Sequence, residues 1–144
     1  MLVHHILKSK PEIGVLTVAP DATISKAAKV LADKRIGTVV VSEDGKAALG
    51  ILSERDIVRE LARAGSNCLS RTAGEYMTRK VITCTPQSNV SDVMRTMTEG
   101  RFRHMPVVEG DSMVGLISLG DVVKAQLTTL EMEKDALEGM IMGH

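Results

Sequence analysis

Ser53-x-x-Asp56 and Ser118-x-x-Asp121 are the side chains of this 144-residue sequence whose types and spacing best suit chemistry. Each pair follows a glycine and two apolar residues, Gly50-Ile-Leu and Gly115-Leu-Ile, which read as a strand running into a helix. A helix start presents free backbone N–H groups and a positive dipole end, which favour an anion such as phosphate. A serine hydroxyl there can donate to a phosphate oxygen. An ionised carboxylate only accepts hydrogen bonds, so it suits a vicinal diol such as that of a ribose. The same spacing is close to a capping box, in which the two side chains satisfy backbone N–H groups at the helix start. The two roles are compatible, since a serine can cap a helix and also face a ligand.

Basic residues stand near both pairs. Arg35 and Arg101 each follow a helical stretch and precede a hairpin, and an arginine fork matches phosphate oxygens. Arg55, Arg59 and Arg63 fall on one face of a helix; a solvated stripe is the plain reading, although Arg55 lies within the Ser53–Asp56 turn. Phe102, Arg103 and His104 stand where the first half has Ile36, Gly37 and Thr38. Arg103 and His104 can meet a phosphate and Phe102 can line a base pocket, so the second half is expected to be the better equipped. His104 can equally be a strand-end histidine bonded to backbone.

The elements that must position these residues are legible because they occur twice. Val15, Thr17, Pro20, Ser25, Arg35 and Val41 return 66 positions later as Val81, Thr83, Pro86, Ser91, Arg101 and Val107. Gly50, Ser53 and Asp56 return 65 positions later, so one residue is lost in the turn between. In the first copy a short strand, Val15–Val18, is predicted before Pro20. Ile24, Ala27, Ala28 and Leu31 then follow helical spacing, matched by Val90, Val93, Met94 and Met97. Thr38–Ser42, a turn at Glu43-Asp44-Gly45 and a return over Ala47–Leu52 read as a hairpin, copied by Met105–Val108 and Met113–Ile117. A second helix carries Ile57, Val58 and Leu61 on one side and stops at Gly65. Ala64–Ser70 reads as a linker, with a short helical turn within Arg71–Met77. The last helix is predicted from Leu119 to about Met140, with Val123, Leu127, Leu130, Leu137 and Ile141 as an apolar stripe. Each half is thus strand–helix–strand–strand–helix, an α+β unit that leaves surfaces to bury against a second copy.

Composition narrows the function. Hydrophobic residues make up 44% and charged residues 25%, which suits one globular domain. Net charge is zero and aromatics are confined to Tyr76 and Phe102, so neither a nucleic-acid footprint nor stacking platforms are expected. The N-terminal apolar residues are too few for a signal peptide and no run reaches membrane-spanning length. Cys68 and Cys84 read as reduced thiols, and the expectation is a cytoplasmic protein. No metal spacing, glycine-rich phosphate loop or nucleophile–base set is present, so no catalysis is expected.

Met77-Thr78-x-x-Val81-x-Thr83-x-x-Pro86, Arg103-His104-Met105-Pro106-Val107-Val108 and Gly115-Leu-Ile-Ser118-x-x-Asp121 resemble a cystathionine-β-synthase (CBS) domain. Ile36-Gly37-Thr38-Val-Val-Val41 with Gly50-Ile-Leu-Ser53-Glu-Arg-Asp56 resembles another. The resemblance is to a stand-alone tandem pair, or Bateman module, with repeats over 8–65 and 66–126 and a helical extension over 127–144. It implies two pseudo-symmetric β-α-β-β-α units whose sheets pack together, leaving two clefts. It also implies adenosine ligands there (AMP, ADP, ATP, S-adenosylmethionine or NAD(H)), AMP foremost, and a flat homodimer. The aspartates would hold ribose and backbone near Thr17 and Thr83 would read the base edge, with Ile36, Val39, Phe102 and Met105 beside the ring. Val40 stands where the family pattern has the proline seen at Pro106, so the first cleft is expected to bind less readily. The rival reading is a ligand-free interaction module working through the last helix.

Overall fold

The computed structural model describes residues 1–10 and 15–142. In chain order its elements are α1 (Val3–Ser9), β1 (Thr17–Val18), α2 (Ile24–Lys34), β2 (Thr38–Val41), β3 (Gly50–Ser53), α3 (Glu54–Ala64), a 3-10 turn (Gly65–Ser70), α4 (Ala73–Tyr76), α5 (Val90–Gly100), β4 (His104–Glu109), β5 (Ser112–Ser118) and α6 (Leu119–Ile141). The predicted α+β repeat is present in both halves. The stretch read as a linker is instead the 3-10 turn, and α1 has no counterpart among the sequence expectations.

Helical spacing became buried faces. Ile24, Ala27 and Leu31 of α2 and Val90, Val93 and Met97 of α5 are buried. Both helices end on an arginine in the left-handed region, Arg35 at φ 54° and Arg101 at φ 57°. Glycine is the usual residue there, and a bulky side chain costs roughly 1–2 kcal/mol. The reversal lets the N–H groups of Ile36 and Phe102 donate back to Leu31 and Met97.

The sheets are smaller than predicted. β1 pairs parallel with β2, and β2 antiparallel with β3. The first half's return strand spans Gly50–Ser53 rather than Ala47–Leu52. Before it, Asp44 Oδ1 gathers N–H donors from Lys46 and Ala47 and the Ser42 hydroxyl into a tight turn. In the second half β4 and β5 form a two-stranded antiparallel sheet, and the expected first strand shrinks to one parallel bridge, Cys84 to Val107. Pro106 supplies the reason. In the first half the Val40 N–H donates to Leu16 O, and Pro106, at the position of Val40, has no N–H to give.

Two hydrophobic cores result, and each borrows from the other half. The first repeat's core, built on Ile24, Val39 and Leu52, also takes Ala73, Tyr76 and Met77. The second repeat's core, built on Met97, Met105 and Ile117, takes Val3, Ile6 and Leu7 of α1. The bonds are equivalent: His4 N–H donates to Pro86 O and Gly74 N–H to Pro20 O, each at 2.9 Å. Gly50 and Gly115 make room for these leading segments. A Cβ on Gly50 would lie 2.5 Å from Met77 Sδ, and one on Gly115 2.5 Å from Leu7 Cδ2.

α6 has the predicted extent but a different register. It buries Val122 and Ala125 against the second repeat. The expected stripe of Val123, Leu127, Leu130, Leu137 and Ile141 is exposed, as are Val58 and Leu61 of α3.

Candidate functional site

Thr38 and His104 are the same position of the two repeats, and they meet: Thr38 Oγ1 lies 3.1 Å from His104 Nδ1. The pseudo-two-fold relation therefore passes between them, and the inter-repeat clefts adjoin here. Burial disfavours the charged His104 imidazole; Lys10 and Arg103 act in the same direction against Asp121, and its pKa falls below the ordinary histidine value.

On one side lies a cavity of about 600 Å³ whose wall comes from both repeats and the connector between them. The first repeat gives Gly37, Thr38, Ser53, Arg55, Asp56 and Arg59. The connector gives Thr78, Lys80 and Ile82, and the second repeat Arg101, Phe102, Arg103 and His104. Such a volume suits a small ligand or cofactor. Gly100, just before Arg101, has the Phe102 ring where a Cβ would stand, so the turn and the aromatic wall are one packed unit.

Ser53 and Asp56 form a complete capping box. Asp56 N–H donates to Ser53 Oγ at 3.2 Å, and Ser53 N–H donates to Asp56 Oδ2 at 2.9 Å. Arg59 Nη2 donates to Asp56 Oδ1 at 2.6 Å. A carboxylate has about four lone-pair sites, so each oxygen retains acceptor capacity toward the cavity.

Ser118 and Asp121 repeat the cap, with bonds of 3.1 and 2.9 Å. Their carboxylate has another partner: Lys10 Nζ donates to Asp121 Oδ2 at 2.8 Å and to Leu116 O at 2.9 Å. Burial pushes the Asp121 carboxyl up, but the Lys10 ammonium and the Ser118 N–H outweigh it and hold the group below the ordinary carboxylate value. A more open hollow of about 790 Å³ lies beside this helix start, lined by Arg103, His104, Ser118, Gly120, Lys124 and exposed Val123 and Leu127, among others. Asp121 is not part of its wall.

Several expectations change. Phe102, Arg103 and His104 were expected to equip the second repeat's own cleft; with Arg101 all three line the cavity that holds Asp56, and Arg103 and His104 also line the hollow beside Ser118. The hairpin crosses the seam, so the second repeat furnishes the far wall of the cavity at Asp56, whereas the hollow beside Ser118 is lined by the second repeat and α6 alone. Met105 and Val39 are 1% and 0% exposed and belong to the two cores, and Pro106 is buried in β4; none of the three lines either of these two cavities. Thr17 sits in β1, Ile36 packs against the first core and Thr83 is exposed outside any strand, and none joins either wall. Arg35 is exposed at its helix end and likewise lies outside both walls among the described residues. Lys10 and Lys80 were missed. They stand 70 positions apart, outside the 66-residue register, and each follows the short helix that leads into its repeat.

No helix among the described residues is long and apolar enough to cross a membrane. The family described as "CBS domain" matches residues 8–63 and 73–128. A CBS domain-containing protein of Arabidopsis thaliana, CBSX3, whose name calls it mitochondrial, is 36% identical over 148 residues, covering 98% of this chain and 72% of that one. The crystal structure of the CBS-domain containing protein ATU1752 from Agrobacterium tumefaciens superposes with a TM-score of 0.82 at 41% identity, over 88% of this chain and 99% of that one. The CBS domain pair of MJ0100, solved with 5′-methylthioadenosine and S-adenosyl-L-methionine, gives 0.76 at 28%, over 90% and 98%. CBSX2, solved with AMP, gives 0.73 at 25%, over 89% and 97%. With two matched copies and a fold shared with such pairs, the chain belongs to the CBS-domain family as a tandem pair.

Proposed function

We propose that this protein is a non-catalytic sensor of adenosine nucleotides, binding AMP, ADP, ATP or NAD(H) between its repeats. The carrying observation is the cavity of about 600 Å³, where a capped helix start, a carboxylate and basic side chains of both repeats converge. Asp56 holds the ribose diol with its remaining lone pairs, and Ser53 with the helix start receives phosphate. Asp121 and Ser118 have the same roles in the second cleft, once Lys10 yields. Adenosine compounds bound to MJ0100 and CBSX2 support the ligand class. Ligand bridging the seam draws the repeats together and alters a surface offered to a second copy or a regulated partner. The shift equals the ligand's differential affinity for the two arrangements.

Thermal unfolding with and without nucleotide tests this. Ligand at about a hundred times its Kd stabilises the fold by ~2.7 kcal/mol. Asp56→Ala removes a charged hydrogen-bond partner worth roughly 1.5–3 kcal/mol, about ten- to a hundred-fold in affinity. A melt indifferent to millimolar AMP, ADP, ATP and NADH alike would refute the reading.

The exposed face of α6 favours a second reading, dimerisation without ligand. Leu127, Leu130 and Leu137 are each more than half exposed along this helix. Dimerisation that depends on Leu130 and Leu137, in a protein whose melt ignores nucleotides, would support it.

A further inference from the structure

Four cations stand uncommitted around the cavity beside Asp56. Arg55, Lys80, Arg101 and Arg103 line it, and none pairs with a carboxylate among the described residues. Arg59 also lines it, bonded to Asp56, and Glu54 is the other acid. Five cations against two carboxylates leave an excess of three positive charges in one concave space.

The backbone supplies a second observation. Arg101 holds the left-handed conformation at φ 57° although glycine would fit there without strain. Arg35 holds the same conformation at φ 54° outside both walls, so the turn belongs to the repeat, and at Arg101 it serves to set the side chain at the cavity. The turn brings Arg101, Phe102 and Arg103 together at the seam, opposite Arg55 and Asp56.

The other half lacks this concentration. Gly120 stands where Arg55 does, and Gly37 where Arg103 does. Lys10, in the place of Lys80, is already bound to Asp121. The hollow beside Ser118 has Lys124 and the shared Arg103 against Glu131, so the larger excess of positive charge lies at the Asp56 cavity.

We infer that the cleft at Asp56 selects nucleotides carrying a di- or triphosphate, ADP, ATP or a dinucleotide, over AMP, and rejects cationic adenosyl compounds such as S-adenosylmethionine. This rests on the adenosine reading of the cleft and adds to it the class of ligand. A phosphomonoester brings about two negative charges at neutral pH. That leaves part of the excess unmatched, and each further phosphate meets another charge-assisted bond. A sulfonium meets like charge in a concave wall, where repulsion is least screened.

Calorimetric titration of the full-length protein with AMP, ADP, ATP and S-adenosylmethionine, at low and physiological salt, decides it. Wild-type protein is expected to bind ADP and ATP about tenfold or more tighter than AMP, the worth of one added charged hydrogen bond. That margin should narrow as salt rises, and S-adenosylmethionine should bind more weakly than AMP. Arg101→Gly keeps the turn, since glycine suits a positive φ, and should weaken ADP about tenfold and AMP by less. Lys80→Gln should act in the same direction. AMP binding as tightly as ADP, or S-adenosylmethionine binding as tightly as AMP, would overturn the inference while leaving the adenosine reading intact. No heat and no thermal shift with any of the four would overturn both.

Discussion

Asp56 and Asp121 occupy the same place in the two repeats, make the same pair of capping bonds, and then differ in what holds them. Asp56 is joined by Arg59 from its own helix. Asp121 is joined by Lys10, more than a hundred positions away and following α1. The difference begins in the backbone. In the first half Ile51 exchanges both N–H···O bonds with Thr78, so the connector is stitched beside β3 by its main chain. In the second half the equivalent carbonyl, Leu116 O, accepts the Lys10 ammonium instead. One carboxylate therefore sits beside a segment fixed by backbone hydrogen bonds, and the other is tied by a side chain that can let go. Two copies of one unit have become a cavity lined by arginines and a carboxylate held by a lysine.

The largest effect that would sharpen this contrast is steric. Gly50→Ala places a Cβ against Met77 and 2.8 Å from Thr78 O, a carbonyl held in the bridge. Gly115→Ala meets only the end of the Leu7 side chain, which can turn away. Urea denaturation is expected to show a loss of about 2–3 kcal/mol for Gly50→Ala and about 1 kcal/mol or less for Gly115→Ala. Equal losses would break the comparison.

Lys10→Gln comes next. The pair is partly exposed, so its removal should destabilise by only about 0.5–1 kcal/mol at neutral pH. The sign with pH follows from the Asp121 carboxyl. Its folded-state value lies below the ordinary 3.8, so its stabilisation is complete above that value and is lost as pH falls through the folded one. The gap between wild type and Lys10→Gln, measured by chemical denaturation, should therefore close in acid. The same substitution should raise ligand affinity at the second cleft if Lys10 must yield there.

Arg35→Gly and Arg101→Gly relieve the same backbone strain, and both should gain about 0.5–1 kcal/mol. Only Arg101→Gly should change binding at the Asp56 cleft, because only Arg101 lines it. The smallest effect belongs to His104. Its folded-state value is depressed, so below about pH 6.5 the unfolded chain takes up the proton first and stability falls with pH. His104→Gln should flatten that part of the melting-temperature profile, whereas Thr38→Val should leave the slope in place.

The repeat carried much of the fold. Helical spacing and the Ser-x-x-Asp starts placed α2, α3, α5 and α6, because burial and capping act on residues close in sequence. The helical turn expected within Arg71–Met77 is α4, but α1 and its equivalence to that segment escaped. Residues 1–10 and 71–80 share only the final lysine position for position, and their equivalence lies in backbone bonds that many side chains permit. Pro106 matched the family pattern, but its missing N–H, which shortens a sheet, acts only through a partner strand. The site was half legible. Ser53 and Asp56 were found with their cap, whereas Phe102, assigned to the second cleft, lines the Asp56 cavity instead, and Arg103 and His104 line both hollows. Sequence order says which repeat a residue belongs to, and the crossing of the hairpin over the seam decides which cavity it faces.

The exchange of leading segments has a consequence for how the molecule can be divided. A break in the chain near residue 65 would give two fragments, each carrying the piece that completes the other's interior and neither owning a finished one. The smallest self-sufficient unit is the interlocked pair, and a disturbance felt by either half passes into its sibling through the strand of chain it has lent.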